Sequence, residues 1–233
     1  MIRLSMIVKN EANRYLRPVL EAAKTFIHDA VIIDDGSTDD TVAVCREVLQ
    51  DIPHTIIENK QSAFHNEWEL RVQQWEATTQ DNPDWIMFLD ADEMFEARFG
   101  QDAHKLTEDS GCDLYAFRLY DFWDAEHYRD DAHWRAHTVY RPFLLRYRAE
   151  FPYEFKKASQ HCGRMPWNVF GLPHKRSAYR VKHYGWAREE DRIAKYNRYL
   201  ALDPKGIHGS MAQYMSILDP NPNLKKWVED ELP

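Results

Sequence analysis

Through the first hundred positions, short apolar runs alternate with segments whose apolar residues recur at helical spacing. Leu4 to Val8 predicts a short buried strand. Asn13 to Phe26 carries Tyr15, Leu16, Val19, Leu20 and Ala23 at the spacing of one helix face. Pro18 is tolerated near that helix's first turn, where a backbone N–H has no partner to lose. Ala30 to Asp35 predicts a second strand and Thr41 to Leu49 a second helix, with Ser37 and Asp40 placed as a weak capping box. Thr55 to Glu58 predicts a third strand. His65 to Thr78 predicts a helix with Trp68, Val72 and Trp75 on one face. Asp81-Asn82-Pro83-Asp84 is a turn before a fourth strand, Trp85 to Leu89.

Alternating strands and helices imply an α/β fold with a mostly parallel sheet flanked by helices. Right-handed crossovers then bring the ends of the first, second and fourth strands to one edge. That edge carries Lys9-Asn10-Glu11, Asp34-Asp35-Gly36-Ser37 and Asp90-Ala91-Asp92.

The second half has a different texture. Leu114 to Tyr120 and Val139 to Tyr147 predict longer strands, and Ser177 to Tyr184 another. Asp121 to His137 reads as a loop rich in aromatic, acidic and histidine residues. Glu189 to Leu202 predicts a helix with Ile193, Tyr196, Tyr199 and Leu200 towards one side, stopped by Asp203-Pro204. Lys205 to Pro233 is proline-rich and predicts short helices. No internal repeat or low-complexity linker divides the chain, so one compact domain is expected over all 233 residues.

Composition narrows the possibilities. With 44% hydrophobic and 13% aromatic residues, the chain can bury a sizeable core. Its net charge of −8 argues against a general nucleic-acid surface, so an anionic substrate would need local cations or a metal. No stretch is long and apolar enough for a membrane span, and no signal-peptide pattern opens the chain. The cysteines (Cys45, Cys112 and Cys162) are odd in number and far apart, which predicts reduced thiols and a cytoplasmic location. His161-Cys162 could ligate a metal, but no second pair has zinc spacing.

The chemistry concentrates after Trp85 to Leu89. This apolar strand runs straight into Asp90-Ala91-Asp92-Glu93. Grouped carboxylates at the end of a buried strand raise each other's cost of ionisation, and a hard cation relieves it. Oxygen ligands of this kind suit Mg2+ or Mn2+.

Three motifs, Ser5-Met6-Ile7-Val8-Lys9-Asn10-Glu11, Ile32-Ile33-Asp34-Asp35-Gly36-Ser37-Thr38-Asp39-Asp40-Thr41 and Leu89-Asp90-Ala91-Asp92-Glu93, resemble those of family-2 glycosyltransferases, in the same order. The resemblance covers about the first hundred residues and implies the GT-A fold. It also implies a nucleotide-diphosphate sugar donor, with UDP the expected carrier, a divalent metal, and inversion at the anomeric carbon. It divides the domain into a donor half (1–100), an acceptor half (101–204) and a tail (205–233).

By that resemblance Asp34 accepts from the base N–H, Asn10 and Glu11 line the base and ribose, and Arg71 lies near the base or diphosphate. Asp92 binds the metal directly, and Asp90 binds the ribose or the metal. His183, in Lys182-His183-Tyr184-Gly185-Trp186, resembles a late histidine that completes the metal site. Glu93 stands as a supporting or acceptor-side residue.

An inverting transfer needs a base to deprotonate the acceptor hydroxyl. The carboxylates in the second half are Asp121, Asp124, Glu126, Asp130, Asp131 and Glu154. Asp124 in its aromatic-rich loop is the first candidate, and Asp121 the alternative. Phe122, Trp123, Tyr128, Trp134, Tyr140 and Trp167 could stack on a sugar ring, although core packing accounts for most such residues. The acceptor, whether glycan, lipid-linked, protein or small molecule, is not specified. Two competing readings are a non-catalytic sugar-nucleotide-binding or scaffold domain and a phosphohydrolase with an aspartate nucleophile.

Overall fold

The computed structural model describes residues 1–64, 66–157, 162–207 and 209–229. His65 and His161 lie outside the described residues, and with them the start of the third predicted helix and one member of the His161-Cys162 pair.

The elements run β1 (Ile2–Val8), α1 (Leu16–Ala23), β2 (Asp29–Asp34), α2 (Thr41–Val48), β3 (His54–Glu58), α3 (Glu67–Thr79), β4 (Trp85–Phe88), β5 (Glu93–Phe95), α4 (Phe99–Thr107), β6 (Leu114–Asp121), β7 (His127–Arg129), β8 (Tyr140–Arg146), β9 (His174–His183), α5 (Glu189–Leu202), α6 (Met211–Ser216) and β10 (Leu224–Lys226). An eight-stranded sheet has the order β3-β2-β1-β4-β8-β6-β9-β5, and β10 pairs with β7 in a separate ribbon.

β1 pairs in parallel with β2 and β4, and β2 with β3. Every residue of β4 is buried, as expected of a central strand covered on both faces. α1 turns Leu16, Val19, Leu20 and Ala23 inward, and these join Leu4, Met6 and Ile32 in the main core. The ends of β1, β2 and β4 therefore meet at one edge, and their loops carry the three motifs.

The sheet continues through β8, antiparallel to β4, and then through β6 and β9, which are parallel to each other. β5 turns back from the Asp90-Asp92 turn to pair with the last residues of β9. In this register His183 lies opposite Glu93 on one side and Asp121 on the other. Residues far apart in sequence are thus delivered beside the end of β4.

Several expectations need correction. α1 is shorter than Asn13 to Phe26, because Arg14 N closes a turn onto Glu11 O at 3.1 Å before the helix begins. The Ser37–Asp40 capping box does not form. Asp39 accepts from Thr41 N at 3.0 Å instead, and Ser37 Oγ accepts from Asn10 N. β5 and α4 were not predicted. The loop from Asp121 to His137 contains β7 and a short 3-10 turn at Ala136–Thr138, and the tail contains β10 as well as α6. β7 and β10 are three-residue strands that pair with each other, too short to leave a periodic signal.

All three cysteines are free and buried. No helix among the described residues is long and apolar enough to cross a membrane.

Candidate active site

A cavity of about 550 Å³ opens at the edge where β1 and β4 end. The β1 loop supplies Lys9, Glu11 and Arg14, α3 supplies Arg71, and the turn after β4 supplies Asp90 and Asp92. The end of β9 adds His183, and α5 adds Lys195 and Arg198. Cations therefore line much of this cavity in an otherwise acidic chain.

The turn after β4 is held from beneath. Glu93 is 2% exposed and takes both oxygens to Arg164, at 2.5 and 2.7 Å, while also accepting from Asp90 N at 2.9 Å. Arg164 stacks on Phe143 and reaches Asp90 Oδ2 at 3.4 Å. Burial works against the Arg164 charge, but Glu93 and Asp90 outweigh it and push its pKa up. Glu93 is thus a buried structural partner.

Asp92 points the other way. Its Oδ2 lies 3.6 Å from His183 Nε2, and His183 Nδ1 lies 2.7 Å from Asp121 Oδ1. Burial would raise the Asp92 pKa, but His183, Lys195 and Arg14 together hold it well below the usual carboxylate range. For His183, burial lowers the pKa, yet its two carboxylate neighbours lift it to about 10. Tyr184 N donates to Asp92 O at 2.7 Å, fastening the turn to the end of β9.

Glu11 sits across the cavity, 3.4 Å from Arg14, with Oε2 buried and accepting no hydrogen bond. Burial, opposed by Arg14 and helped by Asp92 and Asp191, pushes its pKa to about 7. Asp34 is also buried. Its Oδ2 accepts from Ser37 N at 3.0 Å, while its Oδ1 accepts nothing. Asp35 instead clamps the loop after β3, accepting from Ser62 Oγ at 2.5 Å and Ala63 N at 2.7 Å.

Asn10 adopts φ +53°, a left-handed conformation that asparagine tolerates, and its Oδ1 accepts from Thr38 N at 2.8 Å. It ties two loops together and does not line the cavity. Arg71 does line it, 3.6 Å from Glu67 and 3.8 Å from Asp90.

The predicted metal trio of Asp92, Asp90 and His183 does not assemble. Asp90 faces Arg71 and Arg164. Among the described residues no three His, Cys, Asp or Glu side chains surround one metal position. Asp92 and His183 do form an adjacent pair. An imidazole nitrogen and a carboxylate oxygen 3.6 Å apart are a donor pair that would suit a divalent cation.

The candidate bases fare less well. Asp124 caps its own turn, accepting from Glu126 N and His127 N, and Asp130 pairs with His137 and Lys225. Asp131 binds Arg129 at 2.6 Å, Glu126 lies 3.8 Å from Lys226, and Glu154 is exposed on a loop. None lines the cavity, and Asp121 is engaged with His183. Phe122, Trp123 and Trp134 are buried, the last two in a cluster with Trp186, while Trp167 is exposed.

Arg14, Arg164, Lys195 and Arg198 are functional candidates that the sequence reading does not include. Lys195 and Arg198 had a readable signal, since cations three apart on a helix share a face. Arg164 had none, because its partners lie 71 and 74 positions away.

The mixed sheet, parallel at the edge that carries the Asp-x-Asp turn and continued by antiparallel pairing, is the GT-A fold of glycosyltransferases. The profile of glycosyl transferase family 2 matches residues 4–182, and the chain belongs to that family.

Solved structures with this fold include S. aureus TarS, 14% identical with a TM-score of 0.58 over 93% of this chain and 42% of that one. The chain thus spans less than half of that protein. TarS 1–349 in complex with UDP-GlcNAc gives 12% identity and a TM-score of 0.56 over 93% of this chain and 70% of that one. The mannosyltransferase PcManGT from Pyrobaculum calidifontis, solved with GDP-Man and Mn2+, gives 12% and 0.52 over 86% and 61%. No curated protein sequence matches the chain.

Proposed function

We propose that this chain is the catalytic domain of a metal-dependent glycosyltransferase. It takes a sugar from a nucleotide-diphosphate donor, with UDP the expected carrier, and transfers it with inversion to an acceptor hydroxyl. The observation that carries this reading is the Asp92–His183 pair, 3.6 Å apart on the wall of a cavity ringed by Arg71, Lys195 and Arg198.

The unsatisfied Asp34 Oδ1 is an acceptor reserved for a base N–H, and the buried Glu11 Oε2 is one for a sugar or ribose hydroxyl. A buried carboxylate oxygen left without a donor is costly, so a ligand that supplies one is favoured. Asp92 and His183 would hold a divalent ion, Mn2+ or Mg2+, which when bound would supply Lewis-acid stabilisation of the departing diphosphate. Asp121, at 2.7 Å from His183 Nδ1, fixes the ring with Nε2 towards Asp92 and is a positioning residue rather than the base. Arg71 and Arg198 neutralise donor phosphate charge. The complexes of relatives with UDP, UDP-GlcNAc and GDP-Man with Mn2+ support this reading.

Calorimetric titration of UDP in the presence of Mn2+ tests it. Asp92→Ala should weaken UDP binding by about 100-fold or more while the far-UV spectrum stays native. Unchanged UDP affinity in Mn2+ would refute the metal assignment.

A further inference from the structure

This inference rests on the metal site proposed above and concerns a cation that already stands beside it. A Cβ built on Gly185 would fall 2.5 Å from Asp92 Oδ2, 2.6 Å from His183 Nε2 and 2.6 Å from Lys195 Nζ. Three polar atoms therefore border one small space, which stays open because residue 185 is glycine. Two of these atoms are metal ligands by chemistry, whereas the third is an ammonium.

Lys195 Nζ donates to Gly185 O at 2.5 Å and sits 4.3 Å from the centre of the Trp186 ring. Burial pushes the Lys195 pKa down, and Asp92 is the foremost of the charges that oppose this. Arg198, one turn further along α5, lines the same cavity.

We propose that Lys195 is the resident counter-ion of Asp92, and that it yields this position to a divalent ion only when a donor diphosphate is present to receive its charge. An ammonium and a divalent ion bordering one space repel each other strongly. The lysine ammonium is a point charge on a flexible stem, so Nζ can swing without moving α5. Two further carboxylates act near it, Glu11 in the cavity wall and Asp191 on α5, and both already face Arg14. Anionic phosphate oxygens offer the better destination. Metal and donor then bind with positive coupling, which by linkage is the same in both directions.

The test is calorimetric titration of Mn2+ into the wild-type chain and Lys195→Met, each with and without saturating UDP. In the wild type, UDP should tighten Mn2+ binding by about 10- to 100-fold. In Lys195→Met, Mn2+ alone should bind about tenfold more tightly than to the wild type, and UDP should add correspondingly less. Lys195→Gln gives the same readout should the methionine variant not fold. Equal Mn2+ affinities without UDP, together with equal enhancement by UDP, would overturn the role of Lys195 and leave the metal site standing. Failure of the wild type to bind Mn2+ even with UDP would overturn the metal site and this inference with it.

Discussion

Glu93 and Glu96 are closely matched by guanidinium groups within the chain, and Asp90 and Asp92 only partly, although the four lie within seven residues. Glu93 takes two short bonds from Arg164, and Glu96 takes two from Arg180, at 2.9 and 2.7 Å. Both glutamates are almost wholly buried. Among the described residues Asp90 has longer ion pairs, at 3.4 and 3.8 Å, and Asp92 has an imidazole at 3.6 Å. The first pair spends its charge holding β5 in the sheet. The second pair faces an open cavity with electrostatic capacity left over. A buried carboxylate matched by a guanidinium is therefore read as architecture, while one left partly matched beside a cavity is read as a binding group.

Breaking the architectural side should have the largest effect. Arg164→Ala leaves Glu93 buried and unpaired and should cost about 3–5 kcal/mol in urea denaturation. A loss below about 1 kcal/mol would mean that the turn does not depend on the pair.

On the binding side, Asp121→Asn keeps the shape but weakens the hold on His183. It should lower Mn2+ affinity, measured with UDP present, by about 10- to 100-fold. No change would remove Asp121 from the support of the site.

Glu11 sharpens the comparison through pH. Its pKa rises from an ordinary 4.5 to about 7 in the folded chain, so the folded state holds the proton more tightly than the unfolded. The stability it contributes is complete below about pH 4.5 and disappears as pH rises through about 7. Glu11→Gln should remove about 2 kcal/mol of that slope in denaturation curves collected across this range. An unchanged slope would place the titration elsewhere.

The smallest effect should come from Asp124→Ala. This substitution removes turn hydrogen bonds, costs about 1 kcal/mol of stability and leaves UDP affinity and turnover within about twofold. A hundredfold loss of turnover would return Asp124 to the catalytic machinery.

The donor half was legible because its signals are local. β1, β2 and β4 are continuous apolar runs, and each motif follows directly on its strand end, so the positions of Asp34 at the end of β2 and Asp92 just after β4 follow from sequence. The acceptor half was not legible in the same way. β5 is three residues long and exists by pairing with β9, and β7 exists by pairing with β10. Asp124 looked chemically available because nothing in its sequence neighbourhood reveals that its carboxylate closes a turn. Nothing near Asp90 in sequence announces Arg164, which reaches both Asp90 and Glu93. What sequence pattern misses here is the partner that arrives from far along the chain and settles a charge.

Arg188 donates to Asn13 O at 3.0 Å, Arg14 meets Asp191 at 3.0 Å, and Tyr15 stacks on Tyr184. These contacts fasten the start of α5 to the loop after β1, bridging 175 positions in the case of Arg188. During synthesis the β1 loop leaves the ribosome long before the segment that completes its cavity. A nascent chain can build the parallel strands without His183, Lys195 and Arg198, so donor can lend it little stability at that stage. Ligand rescue of a destabilised variant would then act late, after translation has passed α5, and would protect the finished domain more than its assembly.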